Sequence, residues 1–102
     1  MVARYRARLL RKGYNIKSKA PFVDYRPDVC AHKKKEKVFA EIEIQATLHS
    51  EHTLGQLNSM YTYIKKSKNY RGLLIVPTRL VSEAKFLIMS VFGDRRIEVE
   101  GL

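Results

Sequence analysis

The sequence predicts an α/β protein, a mixed β-sheet with helices packed on both faces in the order α-β-β-β-α-β-α-β. Three observations carry this prediction. Segments with apolar residues at helical spacing alternate with segments of period two. The run Leu73-Leu74-Ile75-Val76 is apolar on both faces, as in a strand covered from either side. The 102 residues, 45% hydrophobic and 29% charged, suffice for one core and not for two. No repeat, Gly/Ser linker or low-complexity tract divides the chain, so residues 1–102 read as a single domain.

The elements follow in order. Val2 to Lys12 sets Val2, Tyr5 and Leu9 at i, i+3 and i+7, with Leu10 beside them and arginines elsewhere. This pattern predicts a short amphipathic helix with a basic outer face, stopped at Gly13. Residues 20–45 read as extended chain, since Pro21 and Pro27 forbid a continuous helix. Within them Val38 to Gln45 alternates: Val38, Ala40, Ile42 and Ile44 face one way, and Phe39, Glu41, Glu43 and Gln45 the other. The basic stretch His32 to Lys37 is the expected hairpin tip. From Thr53 the helical period returns through Leu54, Leu57, Met60 or Tyr61, and Ile64, with Ser50 or Thr53 as cap. Lys65, Lys66 and Lys68 suit the negative end of that helix. Arg71 to Pro77 is the buried strand. Arg79 to Phe92 is a helix with Leu80, Ala84, Leu87, Ile88 and Val91 on one side and Gly93 as its stop. Arg96 to Glu100 is a last strand, Ile97 and Val99 inward.

Twenty Lys plus Arg against ten Asp plus Glu give a net charge of +10. The excess is concentrated in Arg4, Arg6, Arg8, Arg11, Lys12, Lys17 and Lys19, a stretch without one acid, and again at Lys33 to Lys37 and Lys65 to Arg71. A polyanion is the expected partner, because clustered cations gain free energy by releasing counterions from nucleic-acid phosphates. A solvated lysine-rich surface and an acidic membrane surface are the alternatives. No apolar run approaches the ~20 residues of a membrane span, and the first residues lack a secretory pattern, so an intracellular, cytoplasmic protein is expected. A lone cysteine, Cys30, excludes an intramolecular disulfide and a cysteine-rich zinc site. His49 and His52 share a helical spacing but lack a third zinc ligand nearby.

Glu41 and Glu43, two apart on a strand, project from one face. An even turn centred between Lys34 and Lys35 pairs residues whose numbers sum to 69, which sets Asp28 across from Glu41. Directly opposed residues point to the same side, roughly 5 Å apart at Cβ. The same register matches Val29 to Ala40, Ala31 to Val38 and Pro27 to Ile42, making the other face uniformly apolar. Asp28 and Glu41, joined by Glu43, would form a hard-oxygen site suited to Mg²⁺ or Mn²⁺. The competing view is the solvated face of an amphipathic strand, paired with Arg26 or Lys37.

Pro27-Asp28, 12 intervening residues with a basic hairpin, then Glu41-Ile42-Glu43 on an apolar strand followed by a helix, resembles the PD-(D/E)XK nuclease superfamily of restriction endonucleases and archaeal Holliday-junction resolvases. The resemblance spans nearly the whole chain in element order and implies a restriction endonuclease-like mixed sheet. It implies Asp28, Glu41 and the carbonyl of Ile42 as metal ligands, and position 43 as the residue that orients or deprotonates water. Glu43 stands there in place of the usual lysine, with Lys17, Lys19 and Lys37 as substitutes from neighbouring positions. The resulting expectation is a Mg²⁺- or Mn²⁺-dependent DNA endonuclease acting as a homodimer, with Arg4, Arg8, Arg11, Lys12, Lys17, Lys19, Lys33, Lys34 and Lys35 meeting phosphates. The alternative is a noncatalytic nucleic-acid-binding module derived from the same fold.

Overall fold

The computed structural model describes residues 1–102. Helix α1 (Val2–Arg11) leads into β1 (Asn15–Lys17), β2 (Val29–Lys33) and β3 (Glu36–Ile42). Helix α2 (Glu51–Ile64), β4 (Tyr70–Val76), a 3₁₀ turn (Thr78–Leu80), α3 (Val81–Phe92) and β5 (Ile97–Gly101) complete the chain. The five strands lie in sequence order; β1, β2 and β3 are antiparallel neighbours, whereas β3, β4 and β5 are parallel. Parallel neighbours need a crossover, and α2 and α3 supply the two that are required. The predicted α/β class and element order hold.

Helices cover both faces. On one, Tyr5 and Leu9 of α1 pack against Val29, Ala31, Val38, Ala40, Leu73 and Ile75. On the other, Leu57, Met60 and Ile64 of α2 and Ala84, Leu87 and Ile88 of α3 enclose Cys30, Phe39, Leu74 and Val76. Alternation along β4 therefore serves two cores at once, which explains why its sequence is apolar throughout. Gly72 lets α2 approach the sheet, since a Cβ there would lie 2.7 Å from Met60 Sδ. Local signals end the helices as read: Ser50 Oγ accepts from the Thr53 N–H at 3.1 Å, and Gly13 and Gly93 adopt φ of +89° and +74°.

The β2–β3 hairpin takes the register that sums to 69, Val29 opposite Ala40 through Lys33 opposite Glu36. Its two-residue turn is Lys34–Lys35, with Lys34 at φ 55°. Two boundaries differ from expectation. The first strand lies at Asn15–Lys17, ahead of residues 20–45, because the edge of β2 needs a partner and the chain leaving α1 runs beside it. Strand β3 stops at Ile42, not Gln45: the Ile44 carbonyl accepts from the N–H groups of Thr47 and Leu48, bending the chain toward α2 and leaving Ile44 half exposed. Leu10 and Val91 are exposed too, lying just outside the buried stripes of their helices.

Candidate metal and nucleic-acid site

Glu41 projects from the end of β3 into the face shared by Phe39 and Cys30 and is 1% exposed. Asp28, one residue before β2, stands across from it at the surface. The two are locked reciprocally. Glu41 Oε1 accepts from the Asp28 N–H at 3.2 Å, and Asp28 Oδ2 accepts from the Ile42 N–H at 2.8 Å. Each carboxylate thus has one oxygen anchored by backbone and a second oxygen uncommitted.

The hairpin register also explains a bare carbonyl. The N–H and C=O of one extended residue point to the same edge, so the Ile42 carbonyl is directed toward the Asp28 side, as its N–H is. The residue opposite Ile42 is Pro27, which has no N–H to donate. Two carboxylates and one unclaimed carbonyl occupy the carboxyl end of a strand in the parallel part of the sheet, where open α/β sheets place ligands.

Electrostatically the site is acidic inside a basic molecule. Burial first, then the charge of Asp28 and to a lesser degree that of Glu43, together push the Glu41 carboxyl up to about 8 against the hydrogen bond from the Asp28 backbone. The charged groups acting on Glu41 are both acids. Burial raises the Cys30 thiol on the same face, and the charges of Lys37 and Lys17 act against it. The Tyr25 hydroxyl lies close by, 2% exposed as a residue and without any hydrogen-bond partner. Burial raises its pKa first, and the charges of Glu41 and Asp28 raise it next.

A third acid does not complete the cluster. Asp28, Glu41 and Glu43 do not form a group of three at metal-ligand spacing. Glu43 follows the last residue of β3; its N–H donates to the Ile75 carbonyl at 2.9 Å, extending the ladder to β4, and its charge acts on Glu41. The donor set is therefore Asp28, Glu41 and the Ile42 carbonyl, a small all-oxygen set of the kind Mg²⁺ accepts while keeping several waters. His49 pairs with Glu83 at 2.9 Å and His52 faces Gln56, so the two imidazoles do not converge on a metal.

The cations sort into three groups. Lys17 and Lys19, together with Arg6 and Arg26, line a cleft of about 500 Å³ that reaches Asp28. Arg4 and Arg11 belong to α1 and Lys12 caps its end, on the sheet face away from Glu41, and all three are exposed there. Lys33, Lys34 and Lys35 surround the hairpin turn, five to seven residues from Asp28 and so about 20 Å from it along the strand. Arg8, expected among the phosphate contacts, donates within the chain to Glu100 at 2.7 Å and to the Gly101 carbonyl at 2.8 Å. Lys33 is also engaged, donating to the Lys12 carbonyl at 2.8 Å.

Sequence reading missed Arg6 and Tyr25. Arg6 sits among other helix arginines without distinction, and Tyr25 lies in an irregular segment where period carries no signal. The tyrosines that did stand out serve packing: Tyr61 stacks on Phe92, Tyr63 stacks on Phe22, and their hydroxyls donate to Asp94 and Asp24. Comparison with protein-family models, with curated proteins and with solved structures finds no match to this chain.

Proposed function

We propose that this chain is a divalent-metal-dependent DNA endonuclease of the PD-(D/E)XK type, hydrolysing phosphodiester bonds. One observation carries the reading: in a protein of net charge +10, the buried carboxyl of Glu41 has two other acids as its charged neighbours. A buried acid beside acids is unfavourable unless it is protonated or meets a cation, and the uncommitted oxygens of Asp28 and Glu41 with the bare Ile42 carbonyl suit a divalent one. Bound there, Mg²⁺ or Mn²⁺ supplies charge neutralisation at a phosphoryl oxygen and a more acidic attacking water. Asp28, Glu41 and Ile42 hold the ion. Glu43, half exposed beside them, accepts the proton of the water. Lys17 and Lys19 hold the strand by its phosphates, and the wider basic surface raises the local concentration of DNA. A homodimer belongs to the same proposal, because one domain of this size presents few phosphate contacts.

A specific observation favours a second reading, a noncatalytic nucleic-acid-binding module. Glu43 replaces the motif lysine, and no lysine acts on Glu41. Cleavage of end-labelled linear, single-stranded and branched DNA in Mg²⁺ and Mn²⁺ separates the two. The nuclease reading expects metal-dependent products from wild type and a loss in Asp28→Ala larger than the 10–100-fold typical of outer-shell changes. Absent products with every metal, or products undiminished in Asp28→Ala, would leave the binding module.

A further inference from the structure

The cleft beside Asp28 is bounded by the end of β1, the loop after it and the segment entering β2. Its four cations, Arg6, Lys17, Lys19 and Arg26, form no ion pair within the chain, although Arg8 and Arg71 do. Unpaired cations around a concavity, with a single exposed acid at its end, are matched to an anion presented from outside. The lip and wall add two features of a different kind. Val23 is 98% exposed, an apolar side chain with nothing packed on it, and the Tyr25 hydroxyl is buried in the wall without a partner. Phosphate, apolar ring and hydrogen-bonding edge together describe a nucleotide. A volume of about 500 Å³ is that of a small-ligand site and is enough for one nucleotide.

We infer that this cleft holds one unpaired nucleotide of a DNA strand, next to the phosphate presented to Asp28 and Glu41, so that the protein acts on single-stranded or frayed DNA in preference to closed duplex. The inference rests on the nuclease reading for the neighbouring phosphate and adds the substrate class. An unpaired nucleotide enters without the unstacking that a duplex must first undergo, and its base meets apolar surface irrespective of sequence.

The test is fluorescence anisotropy, in Ca²⁺, with three labelled DNAs of one sequence: a blunt duplex, that duplex with a single-stranded extension, and the single strand. Wild type is expected to bind the last two about tenfold or more tightly than the blunt duplex. Lys17→Glu with Arg26→Glu, both at exposed positions, is expected to erase the preference. Lys68→Glu with Lys85→Glu changes net charge equally away from the cleft; it is expected to weaken all three complexes alike and keep their ratio. Equal affinity of wild type for the three DNAs, or a preference that survives the Lys17/Arg26 reversal, overturns the assignment. Cleavage in Mg²⁺ is scored separately on the same DNAs. A binding preference without cleavage removes the nuclease reading and leaves the cleft standing; cleavage without the preference does the reverse.

Discussion

Glu41 concentrates the energetics of the site in one side chain. Without metal, burial and its two acidic neighbours keep its proton on until about pH 8, whereas an unfolded glutamate loses it near pH 4.3. Between those values the unfolded state has released a proton that the folded state still holds. The Glu41 contribution is therefore fully present below about pH 4.3, shrinks as pH rises, and is lost once pH passes about 8. Glu41→Gln removes the dependence. Metal-free melts are expected to place Glu41→Gln above wild type at pH 9, with the gap closing toward pH 4. Because an incoming Mg²⁺ must displace that proton, it should raise the wild-type melting temperature more at pH 8.5 than at pH 6 and leave Glu41→Gln unmoved. A gap independent of pH would refute the assigned ionisation. The acids themselves were legible from the strand period; the burial of Glu41 was not, because it depends on α2 and the Tyr25 segment covering a position that alternation only places on a face.

The β2–β3 hairpin is the element that assembles the site, and its turn sets its register. Val29, Ala31, Val38 and Ala40 bury one face only in that register, and a slip of one residue would send Asp28 to the apolar side. The turn is nevertheless built from lysines, with Lys34 in the left-handed region where a Cβ is disfavoured. Lys34→Gly is expected to be about 1 kcal/mol more stable than Lys34→Ala, two variants that lose the same charge and differ at the backbone. Urea unfolding measures the difference, and equal midpoints would show that the turn carries no strain. The sequence permitted this register by parity and by the apolar match, two local constraints that agree. It did not locate β1, whose three residues carry too little period to read and which forms because β2 offers an open edge.

At the scale of the whole molecule, net charge overstates what is free to meet DNA. Arg8 is tied to Glu100 across α1 and β5, and Arg71 of β4 to Glu36 of β3 and Glu98 of β5, and the hydrogen bonds from Arg71 to Glu98 and Glu36 raise its pKa. Lys17 lies in the cleft without an acid partner. The slope of log affinity against log salt counts the phosphates contacted. Lys17→Ala is expected to reduce that slope by about 1 and Arg8→Ala to leave it unchanged. A slope altered equally by both would mean that DNA senses total charge and not the sorted surface. No helix is long and apolar enough to cross a membrane.

The sequence by itself determined the element types, the two-faced burial of β4, the hairpin register and the opposition of Asp28 to Glu41. Each follows from periodicity, parity or a capping residue acting within a few positions of the chain. Tertiary structure alone decided that Glu41 is sealed from water, that Arg6 and Tyr25 join the site, that Glu43 stands outside a ligand cluster, and that Arg8 is spent on Glu100. These outcomes depend on contacts between distant segments, 92 positions apart for Arg8 and Glu100. Local pattern assigns a residue to a face; only the packed neighbours determine which groups share its space and so whether a charge is paired, bare or buried.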